Sequence, residues 1–260
     1  MVKISSLVIA KNEEKNIARC IKSQLRCVDE IYIFVDDSTS DLTEEIIKEF
    51  PQVKYERIAW RGYAETKNFG LKKLTNNWVF WIDADEEITS ELSEEIIRFK
   101  NTEPEYLSYS VARRAFFLDK WIKHCGWYPG RVVRLFDRQK IQFNTNKVHE
   151  GLAVEGPPGF LKNDLNHYTD PTINHYFKKL NNYTSLAAKE LYEQNKKSSL
   201  IDMLFRPLFI FVKMYILKRG FLDGTHGFIL SFLSAHYVFT KYTKLWELSV
   251  KGRQQLNSEK

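Results

Sequence analysis

An apolar segment that ends in a group of carboxylates is the most informative feature of the sequence. Residues 78–82 are apolar, and the acidic run DADEE follows at residues 83–87. In an extended chain, residues two apart point to the same side, so the carboxylates of Asp83 and Asp85 converge. Mg2+ and Mn2+ bind carboxylate oxygens, and substrate phosphates commonly supply the remaining ligands of such a site. The run predicts a divalent-cation site; the alternative is an acidic N-terminus for a helix that begins near Ser90.

Two further turns carry polar residues directly after apolar segments. Asn12 and Glu13 follow the apolar residues 6–10, and Asp36 follows the apolar residues 31–35. An aspartate at the end of a strand can accept hydrogen bonds from a base or a ribose. Turn formation and helix capping explain the same residue types, so both interpretations stay open.

The elements around these turns repeat a strand, loop and helix order. Helical patterns at 14–25, 42–50 and 63–74 alternate with the apolar segments, and residues 53–57 form another short strand. This order is typical of a parallel, doubly wound sheet. Because ligands bind beyond the carboxyl ends of such strands, the three polar turns are expected to meet at one site.

From about residue 106 to residue 159 the pattern changes to short strands with Gly and Pro turns, which indicates a mixed sheet. Arg131 and Arg134 flank one of these strands, where a guanidinium can grip a phosphorylated acceptor or a diphosphate. Trp127 and Tyr128 precede them and can stack on a sugar face. A solvated basic face with aromatic residues in the core explains the same four residues.

The C-terminal part of the sequence turns helical beyond residue 174. Residues 204–245 combine long apolar runs and many aromatics with lysines and arginines. Such a region suits a membrane interface, and packing in a helical core is the alternative. Lys213 interrupts the longest apolar run, so no spanning helix is predicted.

Length and composition bound the class of protein. The chain has 260 residues, of which 43% are hydrophobic, so it is long enough for one globular domain with an appendage. Its net charge of +6 fits an anionic partner without choosing one. Three cysteines without a CxxC pair argue against a zinc site and for a reducing compartment. The short apolar start is interpreted as a strand rather than a signal segment.

The motifs taken in order resemble one family. A first strand that ends in KNEE, a second that ends in Asp-x-x-x-x-Asp, a helical Lys67-Asn68-Phe69 and then DADE are similar to family 2 glycosyltransferases with the GT-A fold. The subgroup resembled is that of bacterial lipopolysaccharide-core beta-1,4-glucosyltransferases. The sequence VHE at 148–150 and the sequence KRGFLDG at 218–224 extend the resemblance over nearly the whole chain.

The resemblance implies roles for individual residues. Asn12 and Glu13 would lie at the donor nucleotide, and Asp36 would recognise the base. Asp83 would contact the ribose side, and Asp85 would bind the metal on the diphosphate. Lys67 would neutralise phosphate charge. The second turn departs from the usual Asp-Ser-Gly-Ser-Thr-Asp, because Asp37 and Ser38 replace Ser and Gly.

The acceptor hydroxyl requires a base, since an inverting transfer removes its proton as the diphosphate leaves from the opposite face of the sugar. Glu150 is the candidate base, with His149 as a contact to metal or acceptor and Lys147 keeping Glu150 ionised. The alternative for all three residues is that they lie on an exposed strand or turn and have no role in catalysis. The remaining histidines, His167 among them, show no ligand spacing and are expected to pack or face solvent.

These interpretations combine into one expectation. Residues 1–160 form a GT-A-type α/β domain, and residues 161–260 form a helical, membrane-facing appendage. The enzyme moves a hexose, with glucose the first choice, from a UDP-sugar to a lipopolysaccharide-core or other lipid-linked glycan at the inner face of a bacterial cytoplasmic membrane. No nucleic-acid partner is expected. A nucleotidyltransferase, disfavoured by the absence of glycine from residues 8–16, and a non-catalytic nucleotide- or membrane-binding module are the rivals.

Overall fold

A computed structural model describes residues 1–144, 152–154 and 156–258 of the chain. The chain forms two compact units, of which the first comprises residues 1–114 and 130–167, and the second comprises residues 115–129 and 168–260. The expected boundary between residues 160 and 161 differs from this division. One reason is that the last strand of the sheet runs through residue 160. The other is that residues 115–129, which interrupt the first unit along the sequence and which we call the excursion, belong to the second unit.

The first half of the sheet is parallel, as expected. Its strands are β1 (Ile4–Ala10), β2 (Glu30–Asp36), β3 (Lys54–Ile58) and β4 (Trp78–Trp81), in the spatial order β3-β2-β1-β4. All three pairings between neighbours are parallel. Three helices connect these strands: α1 (Ile17–Gln24), α2 (Thr43–Lys48) and α3 (Tyr63–Lys73). Strands β1 and β2 are buried along almost their whole length, which explains their continuous apolar runs.

The sheet then continues as a mixed sheet. The next elements along the chain are β5 (Glu86–Ile88), α4 (Ser90–Phe99), β6 (Ser108–Phe117), β7 (Lys120–Trp121), β8 (Gly130–Asp137) and β9 (Gly159–Asp170). Beyond β4 the spatial order is β8-β6-β9-β5, with β8 antiparallel to β4 and to β6. Glu86 and Glu87, for which the N-terminus of the next helix was the alternative interpretation, form β5, which pairs with β9, and the helix α4 begins at Ser90 as that interpretation had it.

Helix α3 approaches the sheet closely because it carries a glycine at its point of contact. A Cβ atom added at Gly70 would lie 2.8 Å from a side-chain carbon of Leu7 and 2.8 Å from one of Phe34. These residues belong to β1 and β2, and both are fully buried. The close approach fixes the position of Lys67, which lies one turn earlier on the same helix.

The second unit is mainly helical. It contains α5 (Ile173–Glu193), α6 (Leu200–Val212), a π-helical turn (Lys213–Leu217), a 3-10 turn (Gly220–Asp223) and α7 (Thr225–Ser258). Its core joins residues of the excursion to residues of α7: Phe117, Ile122, Cys125, Leu230 and Leu233. Within the described ranges, every helix is too short or too polar to cross a membrane.

The KRGFLDG sequence has a structural role within the second unit. The buried carboxylate of Asp223 accepts hydrogen bonds from the backbone N–H of His124 at 2.8 Å and lies 3.0 Å from Nδ1 of the same residue. A Cβ atom added at Gly227 would meet the carbonyl oxygen of Gly220 at 1.9 Å. The carboxylate and the glycines therefore fasten the 3-10 turn to the excursion and to α7.

Candidate active site

The predicted polar turns lie at one edge of the sheet. Residues Ala10 and Val35 are partners in the pairing of β1 with β2, and the backbone N–H of Ile82 donates to the carbonyl of Leu7 at 3.2 Å. The carboxyl ends of β1, β2 and β4 are therefore neighbours. This is the edge at which an open parallel sheet binds its ligands.

The turn after β1 is tied to the turn after β2 by side-chain hydrogen bonds. Asn12 adopts a left-handed backbone conformation, with φ 54°, and its Oδ1 accepts from the N–H of Ser40 at 2.9 Å. The N–H of Glu13 donates to Thr43 Oγ1 at 2.7 Å, and its carboxylate accepts from Asn16 Nδ2 at 2.8 Å. Asn12 and Glu13 thus shape the loop, and a contact with a donor nucleotide stays a prediction for both.

Asp36 ends β2 with a nearly buried carboxylate. Its Oδ1 accepts hydrogen bonds from the N–H (2.8 Å) and the hydroxyl of Ser38, and its Oδ2 lies 3.6 Å from Lys11 Nζ. Burial opposes ionisation, but these hydrogen bonds and the charge of Lys11 outweigh it and lower the pKa of Asp36. The neighbouring Asp37 is exposed and lies 3.8 Å from Arg57 Nε. An ionised acceptor is therefore held at the strand end.

Arg134 joins two of the carboxylates that follow β4. One of its terminal nitrogens lies 2.6 Å from Asp83 Oδ2 and 2.5 Å from Glu86 Oε1. The Arg134 side chain is only 1% exposed, whereas that of Asp83 is 41% exposed. The second oxygen of Glu86 accepts the backbone N–H of Asp83 at 3.0 Å. Arg134 is therefore not placed to grip an acceptor, as the sequence suggested; it fixes Asp83 and leaves that carboxylate accessible.

Asp83 and Glu86, the two carboxylates that Arg134 contacts, differ in how readily they ionise. Burial acts against ionised Asp83, yet the positive charges of Arg134 and Lys67 prevail and lower its pKa. Burial and the charge of Asp83 raise the pKa of Glu86, despite the attraction of Arg134. Burial disfavours the cation at Arg134, but the two carboxylates dominate and raise its pKa. Asp83 therefore carries the charge at the accessible position.

Asp85 lies beside a histidine that the sequence did not single out. Its Oδ2 is 3.4 Å from Nε2 of His167, and the two side chains are 20% and 17% exposed. The contact arises because β5 pairs with β9, where Glu86 is the partner of His167. Within the described ranges, no group of three or more His, Cys, Asp and Glu side chains is arranged to hold a metal ion. A carboxylate and an imidazole are each able to ligate a divalent cation, so this pair is a candidate for part of such a site.

Lys67 and Arg134 lie near one aromatic ring at this edge. Lys67 Nζ is 3.8 Å from the centre of the Trp81 ring, and the Arg134 guanidinium carbon is 4.1 Å from it. The indole face stabilises the two cations and so holds positive charge near the carboxylates. Trp81 was expected only as part of an apolar strand, and its contact with two cations has no signature in the sequence.

Two further arginines lie in the antiparallel part of the sheet. Arg113 is 30% exposed, and its guanidinium lies 3.8 Å from Glu86 Oε1, a distance too long for a hydrogen bond. Arg131 is exposed and donates to the carbonyl of Leu161 at 3.2 Å. Arg131 thus keeps the exposure that an acceptor-binding role requires, and Arg113 is an additional anion-binding candidate.

The other predicted residues fall elsewhere. Trp127 belongs to the second unit, where it packs against the buried core and meets Phe117 edge to face, with 6.3 Å between ring centres. This is the core-packing alternative rather than an open stacking surface. Glu150, His149 and Lys147 lie outside the described residues.

The arrangement provides the parts that a nucleotide-diphosphate ligand needs. It offers a fixed, ionised carboxylate at Asp83, a carboxylate and imidazole pair at Asp85 and His167, and a cation at Lys67. A second ionised carboxylate, Asp36, ends the strand on the far side of β1. Carboxylates and an imidazole can ligate a divalent cation, and a lysine can neutralise a phosphate.

Comparison with known proteins agrees with this arrangement. The family model described as glycosyl transferase family 2 matches residues 5–167. An uncharacterised glycosyltransferase of Rickettsia typhi is 32% identical over all of this chain and 92% of its own length. The lipopolysaccharide core biosynthesis glycosyltransferase LpsC of Rhizobium meliloti is 28% identical over 94% of this chain and 92% of its own length.

A solved structure shows the same fold. The mannosyltransferase PcManGT of Pyrobaculum calidifontis, in complex with GDP-Man and Mn2+, superposes with a TM-score of 0.54 at 12% identity and covers 94% of this chain and 86% of its own. The mixed α/β fold is thus of the GT-A type, as the sequence motifs predicted. With the family model covering more than half of the residues, the chain belongs to glycosyl transferase family 2, and it is a glycosyltransferase.

Proposed function

We propose that the enzyme transfers a hexose, glucose as the first choice, from a UDP-sugar to a lipopolysaccharide-core sugar or another lipid-linked glycan, with inversion at the anomeric carbon. The observation that carries the proposal is the pairing of Asp85 with His167 beside the fixed carboxylate of Asp83 at the nucleotide-binding edge of the sheet. The ordered sequence motifs and the similarity to LpsC support the choice of acceptor.

The residues at this edge fit a divalent cation, Mg2+ or Mn2+. Asp85 and His167 are two partly exposed ligands, and Mg2+ and Mn2+ sites commonly take their remaining ligands from water and substrate phosphates. When bound, the cation would offset the negative charge that develops on the departing diphosphate. PcManGT was solved in complex with Mn2+, which supports the proposal of a divalent cation in this fold.

The donor would be held by residues of the three strand ends. In this proposal Asp36 accepts hydrogen bonds from the base, and Asn12 and Glu13 form the loop beneath the nucleotide. Asp83 accepts from the ribose, and Lys67 neutralises a phosphate. The lowered pKa values of Asp36 and Asp83 support this assignment, because ionised carboxylates are strong acceptors for such groups.

The acceptor side of the reaction requires a base. Glu150 is proposed to take the proton of the acceptor hydroxyl as its oxygen bonds to the anomeric carbon and the bond to the diphosphate oxygen breaks on the opposite face. His149 would contact the metal or the acceptor, and Lys147 would keep Glu150 ionised. Arg131 and Arg113 would bind an anionic group of the acceptor. Trp127 has weaker support, because it packs in a core.

The reaction is proposed to occur at the inner face of the cytoplasmic membrane, where lipid-linked acceptors are accessible. The basic, aromatic C-terminal region supports this placement, because such regions bind membrane interfaces. The C-terminal region would then be a peripheral membrane contact.

Calorimetric titration tests the donor site directly. UDP and, for comparison, GDP are titrated into the full chain with and without Mn2+. We expect Mn2+-dependent binding of UDP, lost in Asp85→Ala and weakened about 10- to 100-fold in His167→Ala, because each variant removes one metal ligand. His175→Ala is the matched control, since it removes a histidine that pairs with an aspartate, Asp170, in the second unit.

The possible results separate the parts of the proposal. Binding of GDP in place of UDP would reject the assigned donor while keeping the metal site. Binding by wild type that is equally strong without Mn2+, or unchanged in both ligand variants, would reject the metal site. Hydrolysis of UDP-glucose by wild type but not by Asp85→Ala would support catalysis over a non-catalytic module.

A further inference from the structure

Helix α6 exposes an apolar surface that no described part of the chain covers. Although α6 is strongly apolar, none of its residues is buried. Its exposed large apolar side chains, together with those of the π-helical turn, have exposures between 39% and 69%. We call this surface the α6 face; it consists of Leu200, Ile201, Leu204, Phe205, Leu208, Phe209, Val212, Ile216 and Leu217.

The α6 face is one side of a helix that is apolar on two sides. Its residues recur at intervals of four, which at 100° per residue places them on roughly half of the helix circumference. The other apolar side meets α7, where the ring centres of Phe211 and Phe228 are 5.9 Å apart. A helix that is apolar all round belongs in a protein core or in a membrane. One apolar side of α6 is covered by α7. The α6 face is not covered by any described part of the chain, so it has neither a protein core nor a membrane against it.

The charges beside the α6 face are positive. Lys213, Lys218 and Arg219 are exposed, and they form no ion pair with the described residues. The acidic residue of α6, Asp202, is partly buried and is paired with Arg206 at 2.6 Å. A second copy of the chain would bring the same cations to the contact, whereas an anionic surface would neutralise them. Charge complementarity therefore selects an anionic partner with an apolar interior.

We propose that the α6 face docks on a bilayer that contains anionic phospholipid, with Leu204, Phe205, Leu208 and Phe209 inserted among the acyl chains. The proposal deepens the membrane placement proposed above, on which it rests, by naming the element and the lipid charge. At 1.5 Å per residue, the 13 residues of α6 span about 20 Å, less than the roughly 30 Å of a bilayer core. Helix α6 therefore lies along the interface.

The 3-10 turn that follows also exposes apolar side chains next to cations. Phe221 and Leu222 are exposed, and Lys218 and Arg219 immediately precede them. The ring centres of Tyr215 and Phe221 are 6.3 Å apart, so the turn is attached to the end of the π-helical turn by an aromatic contact. The cations then meet lipid headgroups where the apolar side chains enter the bilayer, which is the arrangement of an interfacial helix.

Vesicle co-sedimentation tests the proposal with the full chain. Wild type is mixed with vesicles of phosphatidylcholine alone or with 30% phosphatidylglycerol. We expect at least about tenfold stronger binding to the anionic vesicles, reduced at high salt, because three cations face the headgroups. Phe205→Gln with Phe209→Gln is expected to weaken binding at least about tenfold, since two phenylalanines no longer enter the bilayer.

Matched variants make the result specific to the α6 face. Phe209 and Phe160 are 59% and 66% exposed, and Phe160 lies in the first unit. Phe209→Gln should weaken vesicle binding and Phe160→Gln should not. Lys213→Gln with Lys218→Gln and Arg219→Gln should remove the preference for anionic vesicles. Circular dichroism should be unchanged in every variant, because the substituted side chains are exposed.

Each alternative result would overturn the proposal. Equal vesicle binding by wild type and the double phenylalanine variant would place the contact elsewhere. Wild type that ignores vesicles but sediments as a dimer, while the double variant is a monomer, would assign the α6 face to a second copy. Asp85→Ala should keep full vesicle binding, so failure of docking is distinguishable from failure of the proposed transfer reaction.

Discussion

At the scale of single residues, Arg134 determines how the carboxylates after β4 are arranged. Its guanidinium contacts Asp83 and Glu86 at 2.6 and 2.5 Å in an almost fully buried position. Removing one partner of a buried ion pair leaves the other charge without compensation. The stability of the site and the position of Asp83 should therefore depend on the same side chain.

Arg134→Gln is expected to lower the free energy of unfolding by about 3–5 kcal/mol, because the buried Glu86 and its neighbour Asp83 then lose the cation that contacts both of them. Urea denaturation measures the change. Arg134→Gln combined with Glu86→Gln should recover part of the loss, since the second change removes one of the two carboxylates.

The control for this prediction is the exposed Arg131 on the same strand. Arg131→Gln removes hydrogen bonds to carbonyl oxygens and a cation–π contact with Phe160 at an exposed position, so its effect on the free energy of unfolding should stay below about 1 kcal/mol. Similar losses in Arg134→Gln and Arg131→Gln would contradict the assignment of the buried ion pair as the cause.

The sequence indicated the acidic residues of the site but not their partners. Asp83 and Asp85 follow an apolar strand, and this local pattern is sufficient to predict an acidic strand end. His167 meets Asp85 only because β5 pairs with β9, and no local pattern reports contacts over 82 positions. Arg134 was interpreted as an arginine that grips a phosphate or faces solvent for a similar reason: its burial depends on contacts with Glu86 and Asp83 that no local pattern indicates.

At the scale of elements, a second buried carboxylate fastens the opposite end of the parallel strands. Glu30 begins β2 and accepts hydrogen bonds from Ser5 Oγ at 2.5 Å, from the N–H and hydroxyl of Thr75 at 2.8 Å each, and from Lys54 at 2.9 Å. It thus links β1, β2, β3 and the segment before β4. Burial opposes its ionisation, but these hydrogen bonds prevail and lower the pKa of Glu30 to about 2.

Glu30→Gln is expected to destabilise the protein in a pH-dependent way. A folded-state pKa near 2 lies below the ordinary value of 4.5, so ionised Glu30 contributes stability that is fully present above about pH 4.5. At 1.36 kcal/mol per unit the contribution is roughly 3 kcal/mol at pH 7. It is lost as the pH falls from about 4.5 toward 2.

Urea denaturation of wild type and Glu30→Gln between pH 7 and pH 3 measures this contribution. The gap between the two free energies of unfolding should narrow below about pH 4.5. Glu49→Gln, a change at an exposed glutamate of α2's C-terminal end, should give a curve parallel to that of wild type. A constant gap for Glu30→Gln over the whole range would show that lost packing, not the charge, causes the destabilisation.

The parallel strands and their helices could be predicted because each has a local signature. The apolar run of β2 and the helical pattern of α3 were located to within about two residues, which is the usual uncertainty of element ends. β5 was missed because three residues rich in glutamate carry no strand pattern. Its conformation comes from pairing with β9, a long-range contact.

At the scale of the whole molecule, the chain does not divide where its composition changes. The sequence suggested a boundary between residues 160 and 161, where strand patterns give way to helical ones. The structure instead assigns residues 115–129 to the mainly helical unit. Within that unit, Phe117 and Ile122 pack with Leu230 and Leu233 of α7 in one buried cluster. The change in composition along the sequence does not indicate that the excursion packs with α7, because the two are about a hundred residues apart.

A chain ended at residue 160 should therefore not fold into a stable domain. It would lack most of β9, including the buried Leu161 and Leu165, and would leave Phe117 and Ile122 without the α7 side chains that bury them. Exposure of Phe117 and Ile122 forfeits about 1.5–3 kcal/mol each, and the missing strand residues remove further buried apolar contacts, so the loss is a large part of the stability of a domain.

Size-exclusion chromatography and thermal unfolding measure the outcome for the chain ended at residue 160. We expect aggregation and the absence of a cooperative transition, because unpaired strand edges and exposed apolar side chains associate. A chain ended at residue 251 is the control, since it retains every residue of the buried clusters and should unfold cooperatively near the wild-type temperature. A monomeric, cooperatively unfolding chain of residues 1–160 would instead support the boundary that the composition suggested, and would mean that the excursion needs no partner from α7.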